Sequence, residues 1–229
     1  MPRFRGFVNE NSLSLFFLFI FLAALAGQAI AGHDLYNEEA VMHGDPVKSL
    51  WEYLSTADFA QAVTENWQSE YLQFALFATA TIWLLQKGSP ESKELHKRGR
   101  ETEKDQRLGP HSSPHSPGPA RRHGGFRRWL FSNSLLIVML VIFLVSWFAQ
   151  SVSGWAVFND EARTHGEHAI SWLAYIGEAD FWEATFQNWQ SEFLAVGSFA
   201  VLAIFLRQRG SPESKPVGAS TMDSTGQEG

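Results

Sequence analysis

Two sets of ionisable side chains in this chain have the chemistry of a metal site or a proton-transfer site. They share residue types and order, and they are Glu39, His43 and Asp58 in the first half and Glu161, His165 and Asp180 in the second. An imidazole beside carboxylates can bind a metal ion or exchange protons near neutral pH. The Glu-x-x-x-His spacing is looser than the His-Glu-x-x-His pattern that identifies zinc peptidases. A polar clasp that holds a hairpin together is the interpretation we favour, with a metal or proton site and a bound partner as alternatives.

Other polar residues fall on stripes at helical spacing. With 100° between successive residues of a helix, Gln28, Glu39 and His43 lie within an arc of about 60°. A polar seam between adjacent helices is predicted from six residues: Gln28, Asn66, Glu70, Gln150, Asn188 and Glu192. Polar side chains on facing stripes can hydrogen-bond across such a seam. Two contacts are predicted across the outer part of the helices, His43–Asp58 and His165–Asp180.

Composition excludes several classes of function. The chain has no cysteine, so it has no disulfide framework, thiolate nucleophile or cysteine-ligated metal site. Its net charge of -6 gives no general electrostatic support for a nucleic-acid partner. Nineteen Phe and nine Trp favour a membrane protein, because aromatic rings collect at both lipid–water boundaries. Trp67 and Trp189 are predicted interfacial anchors, the lipid bilayer is the first expected partner, and no cofactor is predicted.

The two halves of the chain match each other at an offset of 122 residues. Residues 11–93 align with residues 133–215 without a gap, and about 37 of the 83 aligned positions are identical. The longest identical segments are Asn-Trp-Gln-Ser-Glu at 66–70 and 188–192, and Gly-Ser-Pro-Glu-Ser-Lys at 88–93 and 210–215. This pattern predicts a duplicated structural unit.

Four apolar runs are predicted to be membrane spans. Each half opens with one run and closes with another, and the runs are 13–30, 71–85, 135–152 and 193–206. The closing runs are short for a span of about 20 residues. The residues from Asp58 and Asp180 onward can extend these helices outward, since Asp accepts hydrogen bonds at a helix N-terminus. Gly88 and Gly210, each followed by Ser-Pro, are suitable helix stops.

Basic residues predict the orientation of the spans. Sixteen of the eighteen Lys and Arg lie before the first span, between the second and third, or after the fourth, while Lys48 and Arg163 lie in the loops between paired spans. The positive-inside rule places the sixteen in the cytoplasm. The sequence thus predicts an all-α protein of the plasma (inner) membrane, with four transmembrane helices as two parallel repeats of one hairpin. The helices extend into the extracytoplasmic space, and both termini and the central linker are cytoplasmic.

The domain boundaries follow from this arrangement. Hairpin repeats are predicted at 7–93 and 129–215, a disordered linker at 94–125 and a disordered tail at 216–229, because the linker and tail have too little apolar surface to offset their ordering entropy. The first apolar run has a second interpretation as a signal peptide, with Ala29-Ile30-Ala31 as the cleavage site. The matching segment at 151–153 lies in mid-chain and cannot be a removable leader, which favours a retained span.

The Gly-Ser-Pro-Glu-Ser-Lys segments have two interpretations. Capping a helix requires only the glycine and the proline. Retention of Glu-Ser-Lys in both copies is therefore consistent with a cytoplasmic docking motif or with a recent duplication that has drifted little.

At these motifs the chain resembles a bacterial family of small integral membrane proteins known only as a domain of unknown function. The residues that carry the resemblance are Asn133-Ser134-Leu135, Phe158-Asn159-Asp160, His165-Gly166, the segment 188–193 and the segment 209–215. The first half departs slightly, with Tyr71 in place of Phe193 and Lys87 in place of Arg209. The resemblance implies membrane insertion of both repeats and brings no activity, cofactor or site residue.

Three functions are compatible with the sequence. The favoured one is a non-enzymatic interaction or envelope-associated module, which assembles with itself or with another membrane protein. A small oligomeric transporter or channel is the second, although the spans lack the broken helices and mid-bilayer charges typical of transport sites. A membrane metal-site protein built on the doubled His/Glu/Asp cluster is the third. No recognised catalytic constellation is present, so the chain is not predicted to be an enzyme.

Overall fold

The computed structural model describes residues 2–222, and the side chains of residues 6–222. All regular elements within this range are helical. The α-helices are α1 (Pro2–Glu10), α2 (Ser12–His43), α3 (Leu50–Tyr53), α4 (Ala57–Trp83), α5 (Phe126–Ser132), α6 (Ser134–Thr164), α7 (Trp172–Tyr175) and α8 (Ala179–Phe205). The all-α class is therefore confirmed.

The helices of the two halves have corresponding bounds. The short helices α3 and α7 and the long helices α4 and α8 begin and end 122 residues apart, which is the offset at which the two halves of the sequence match. The long first helices also correspond, since α2 begins at Ser12 and α6 at Ser134. The same succession of a long helix, a single-turn helix and a second long helix therefore occurs twice.

Local sequence explains where these helices end. Gly44 and Gly166 follow α2 and α6 with φ values of 79° and 75°, a left-handed conformation that glycine adopts without steric cost. Ser49 then begins α3 with a capping box, in which its hydroxyl accepts from the N–H of Glu52 and the Glu52 carboxylate accepts from the N–H of Ser49. Ser171 accepts from the N–H of Ala174 at the start of α7.

Two of the described helices, α2 and α6, are long and apolar enough to cross a membrane. Their large apolar side chains are widely exposed, as at Phe17 (60%) and Val145 (63%), which is the distribution expected of a surface that faces lipid rather than water. Helices α4 and α8 have 27 residues each, but their N-terminal halves carry charged residues such as Asp58 and Glu183, and they do not meet the same criterion. Four spans were predicted, and two candidate spans are observed.

The chain divides into two compact units, each of which draws on both halves of the sequence. The first comprises the chain up to Val63 together with Ser153–Ala169, and the second comprises Thr64–Val152 and the chain from Ile170 onward. Buried apolar residues of the first unit include Ala40, Tyr53 and Ala162. Those of the second are Leu72, Ala75, Ala120, Phe143, Tyr175, Phe181, Ala203 and Ile204.

The segment 94–125, predicted to be a disordered linker, consists of turns and two short 3₁₀-helices, Leu95–Lys97 and Gly109–His111. Disorder of this segment stays a prediction. Of the tail predicted at 216–229, residues 216–222 include turns, and residues 223–229 lie outside the described part of the chain.

Candidate functional site

The loop between α2 and α3, called the outer loop because the sequence predicts it on the extracytoplasmic side, is held by the side chain of Asn37. Its amide nitrogen donates to the carbonyl of Lys48 at 2.9 Å, and its amide oxygen accepts from the N–H of Lys48 at 2.8 Å. His33 Nε2 donates to the same carbonyl at 2.9 Å. Backbone polar groups in a loop need partners, and here one side chain satisfies both groups of a residue. Asn37 therefore ties the loop before α3 to helix α2.

Helix α3 packs against α2 through a close approach between Tyr53 and Gly32. A Cβ atom at Gly32 would meet the Tyr53 hydroxyl oxygen well inside normal contact distance, so a larger residue here requires Tyr53 to move. Tyr53 is 5% exposed, and its ring packs against His33, Tyr36 and Phe59 at centroid distances of 6.0, 5.6 and 5.5 Å. Burial raises the pKa of the Tyr53 phenol, and the nearby Asp58 carboxylate raises it further.

The second half has the corresponding tyrosine–aspartate pair. The Tyr175 hydroxyl donates to Asp180 Oδ2 at 3.0 Å, and Tyr175 is 1% exposed. Histidine was predicted to contact these aspartates, and the tyrosines were not predicted to do so. A signal was present, because Tyr53 and Tyr175 are identical at the 122-residue offset and each lies five residues before its aspartate.

His43 and His165 lie at the C-terminal ends of α2 and α6, and each bonds to a carbonyl four residues earlier. Nδ1 of His43 donates to the carbonyl of Glu39, and Nδ1 of His165 donates to the carbonyl of Glu161, both at 2.9 Å. A histidine in the last turn is well placed for this bond because the final carbonyls of a helix have no partner within it. The contact made by each histidine is thus local, whereas the contact predicted for it was with the following helix.

The six metal-ligand candidates are exposed residues in the structure. Residues 2–222 contain no group of three or more His, Asp or Glu that could hold a metal ion. The interactions observed for Glu39, Asp58, Glu161 and Asp180 are the backbone contacts and tyrosine contacts described above.

The predicted polar seam is only partly buried. Gln150 is 2% exposed, Gln28, Asn188 and Glu192 are half-buried, and Asn66 and Glu70 are exposed. Asn188 donates to the carbonyl of Ala184 in its own helix at 2.9 Å.

A buried glutamine outside the predicted polar seam, Gln68, joins α4 to α8. Gln68 is fully buried, and its side-chain oxygen accepts from Trp189 Nε1 at 2.7 Å. Trp189 was predicted to be an interfacial anchor, and its indole N–H is used here in a bond between helices. Gln68 belongs to the identical Asn-Trp-Gln-Ser-Glu segments, and this membership was the signal that could have identified it.

An aromatic cluster lies around Trp147 in the second unit. The Trp147 ring lies 5.5 Å from that of Phe143 and 6.1 Å from those of Phe181, Trp182 and Trp189. Its Nε1 donates to Thr185 Oγ1 at 3.4 Å. Aromatic rings in such contacts add stability beyond their buried area, and the indole N–H needs a partner when it is buried. These contacts therefore pack α6 against α8.

The repeated segments at 88–93 and 210–215 form the same turn. Ser92 accepts from the N–H of Gln86 at 2.8 Å, and Ser214 accepts from the N–H of Gln208 at 2.9 Å. In each turn the lysine ammonium donates to a backbone carbonyl six residues later. Lys93 donates to the carbonyl of Gly99 and Lys215 to the carbonyl of Thr221, both at 3.2 Å. These bonds give the retained serine and lysine a structural role beyond helix capping.

The glutamates of these two turns face each other. Burial raises the pKa of the Glu91 carboxyl, and the charge of Glu213 together with a hydrogen bond between the two side chains raises it further. The turns are thus positioned side by side within the second unit.

Comparison with known proteins identifies a family. Comparisons with curated proteins and with solved structures gave no match. The sequence matches a domain of unknown function, DUF6766, over residues 4–227. Since the match extends over nearly the whole chain, the protein belongs to the DUF6766 family.

Proposed function

We propose that this protein is a four-span integral protein of the bacterial plasma membrane whose role is to bind a protein partner rather than to catalyse a reaction. In this arrangement α2, α4, α6 and α8 cross the bilayer as two hairpins of the same orientation. The proposal is supported by the two candidate spans and by the length of α4 and α8, since 27 helical residues extend about 40 Å and a bilayer core is about 30 Å thick. It is also supported by the distribution of basic residues, since the positive-inside rule favours a cytoplasmic location for the termini and linker that carry them.

The binding role is supported by the fact that residues common to both halves hold a turn in place. Asn37, Gly32 and Tyr53 hold the outer turn of the first half in place. The turns so held present large apolar side chains to the surroundings, because Trp51 is 79% exposed and Leu173, at the equivalent position of α7, is 76% exposed. Exposed aromatic and apolar side chains on fixed turns are typical of protein contact points.

Site-directed cysteine labelling tests the topology. The chain has no cysteine, so each single-cysteine variant carries one reactive thiol. With a membrane-impermeant maleimide on intact cells, Trp51→Cys and Leu173→Cys are expected to react at once, and His115→Cys in the linker only after the membrane is opened. Labelling of His115→Cys on intact cells, or protection of either outer site, would contradict the four-span arrangement.

Photocrosslinking from the outer turns tests the binding role. A photoactivatable maleimide on Trp51→Cys or Leu173→Cys in native membranes is expected to give one discrete adduct, and mass spectrometry would identify it as a second copy or as another membrane protein. Glu38→Cys is a matched control, because Glu38 is exposed on α2 but does not belong to the turn. Failure to form a discrete adduct at the outer turns, or equal adducts at Glu38, would overturn the binding role.

A further inference from the structure

The second unit contains a cavity of about 860 Å³ between the linker, the end of α4 and helix α5. Its wall combines apolar and charged side chains. The apolar part is formed by Ile82, Leu108, Trp129 and Phe131. The charged part is formed by Lys93, Arg100, Glu101, Glu103, Arg107 and Arg128. Four cationic side chains therefore face two carboxylates.

Both carboxylates of the cavity are already paired. The Lys93 ammonium lies 3.1 Å from Glu101, and Arg128 forms an ion pair with Glu103. Arg128 also donates to the carbonyl of Arg122 at 3.2 Å, and its side chain is 11% exposed. These pairs neutralise two of the four cations and hold the linker against α5.

The guanidinium groups of Arg100 and Arg107 remain without a carboxylate partner among the described residues. Arg100 lies over the ring of Trp83, 5.9 Å from its centroid, which orients the side chain at the end of α4. Arg107 has a φ of 50°, a left-handed conformation that non-glycine residues rarely adopt. The cavity thus carries an excess of positive charge from two exposed side chains with the geometry that binds phosphate oxygens in pairs.

We propose that this cavity binds the phosphate group of an anionic phospholipid. The inference rests on the proposed topology, which places α5 and the linker at the cytoplasmic surface of the bilayer. A lipid provides both chemistries that the wall offers, since its phosphate pairs with Arg100 and Arg107 and its glycerol and acyl portions contact Trp129 and Phe131. Basic pockets at the cytoplasmic ends of transmembrane helices are suited to such headgroups. A soluble phosphate ester would use the same two arginines without the apolar wall.

Lipid binding to the purified full-length protein in detergent tests this site. The probes are a short-chain phosphatidylglycerol, a short-chain phosphatidylcholine and inorganic phosphate, and the readouts are the shift in Tm and the lipid retained in native mass spectrometry. Phosphatidylglycerol is expected to bind at one site, and the double variant Arg100→Gln/Arg107→Gln is expected to weaken that binding at least tenfold. Arg121→Gln/Arg122→Gln removes the same charge from linker residues that do not line the cavity, and it is expected to leave the affinity within a factor of two.

Each outcome bears on the proposal. Arginine-dependent binding of phosphatidylglycerol supports a lipid site. Equal arginine-dependent binding of inorganic phosphate supports the phosphate site and assigns it to soluble esters instead. Absence of binding, equal binding of phosphatidylcholine, or equal losses in the two double variants would overturn the proposal. Because the assay in detergent does not depend on orientation, a failure here is distinguishable from a failure of the cysteine-labelling experiment.

Discussion

The contact between Gly32 and Tyr53 allows a prediction in which two effects of opposite sign compete. In Gly32→Ala, the new methyl carbon would lie 2.2 Å from the Tyr53 hydroxyl oxygen and 3.1 Å from Cζ of the same ring. Ordinary contacts between such atoms are about 3.5–4.0 Å. The hydroxyl must therefore move by more than about 1 Å.

The surroundings of Tyr53 determine the cost of that movement. The ring is 5% exposed and packs against three other aromatic rings, so it cannot rotate into solvent without losing those contacts. Overpacking of this kind costs about 1–3 kcal/mol. Alanine is favoured over glycine inside a helix by about 1 kcal/mol, which acts in the opposite direction. The net expectation for Gly32→Ala is a loss of about 0–2 kcal/mol in the free energy of unfolding.

A second glycine of the same helix separates the two effects. A Cβ atom at Gly27 would meet nothing within 4 Å, so Gly27→Ala retains the helix gain without the clash. The difference between the two variants should therefore equal the overpacking cost. Thermal unfolding in detergent measures it, at roughly 2–4 °C in Tm for each kcal/mol in a chain of this size. Adding Tyr53→Phe to Gly32→Ala removes the nearest clashing atom and should bring the two alanine variants closer together.

A Tm for Gly32→Ala equal to or above that of Gly27→Ala would show that Tyr53 imposes no overpacking cost at Gly32. Failure of Tyr53→Phe to narrow the difference between them would show that the clash does not involve the hydroxyl group.

Three further predictions concern other contacts. Asn37→Ala removes the side-chain hydrogen bonds to the N–H and the carbonyl of Lys48 and should lower the free energy of unfolding by about 1–3 kcal/mol. The measurement is Tm, and Glu38→Ala at the exposed neighbouring position is the control. Tyr175→Phe removes the hydrogen bond to Asp180 and should cost about 1 kcal/mol, and an unchanged Tm would show that the bond contributes nothing. Glu91→Gln should raise Tm at pH 7, because a carboxyl whose pKa is raised in the folded state is stabilising when protonated and loses that stability as pH rises through its folded pKa. The advantage of Glu91→Gln should shrink as pH falls through the raised folded pKa and should be absent below the ordinary carboxyl pKa of about 4.5, and a constant difference across pH would contradict it.

Much of the local structure could be predicted from the chain alone. Gly44 and the Ser49 cap follow from residue types that stabilise helix ends by local hydrogen bonds and backbone conformation. The apolar runs predicted the long helices α2 and α6, because each run extends over enough residues to form a helix. The all-helical class follows from the same information.

The partners of the polar residues could not be predicted in this way. Helical spacing placed His43 and Asp58 on suitable faces, but a face does not specify which residue of a neighbouring loop reaches it. Tyr53 approaches Asp58 because α3 folds back onto the bare backbone of Gly32, a fit that depends on the path of the loop. In the same way Gln68 is one of several residues that are identical in the two halves. Only its hydrogen bond with Trp189 distinguishes it from the others as a contact between helices.

Residue types and spacings within a few turns of chain were enough to predict the long helices and the correspondence of the two halves. They did not predict every helix end: Asp58 and Asp180, expected as caps, are the second residues of α4 and α8, and Gly88 and Gly210, expected as stops, lie five residues beyond these helices. The packing of helices and loops set the remaining contacts: Gln68 accepts from Trp189, the two repeated turns bring Glu91 to Glu213, and linker arginines line one cavity with α5. The physical reason is that such contacts join residues far apart in the chain. Their distances depend on how helices and loops pack, and no short-range pattern encodes that packing.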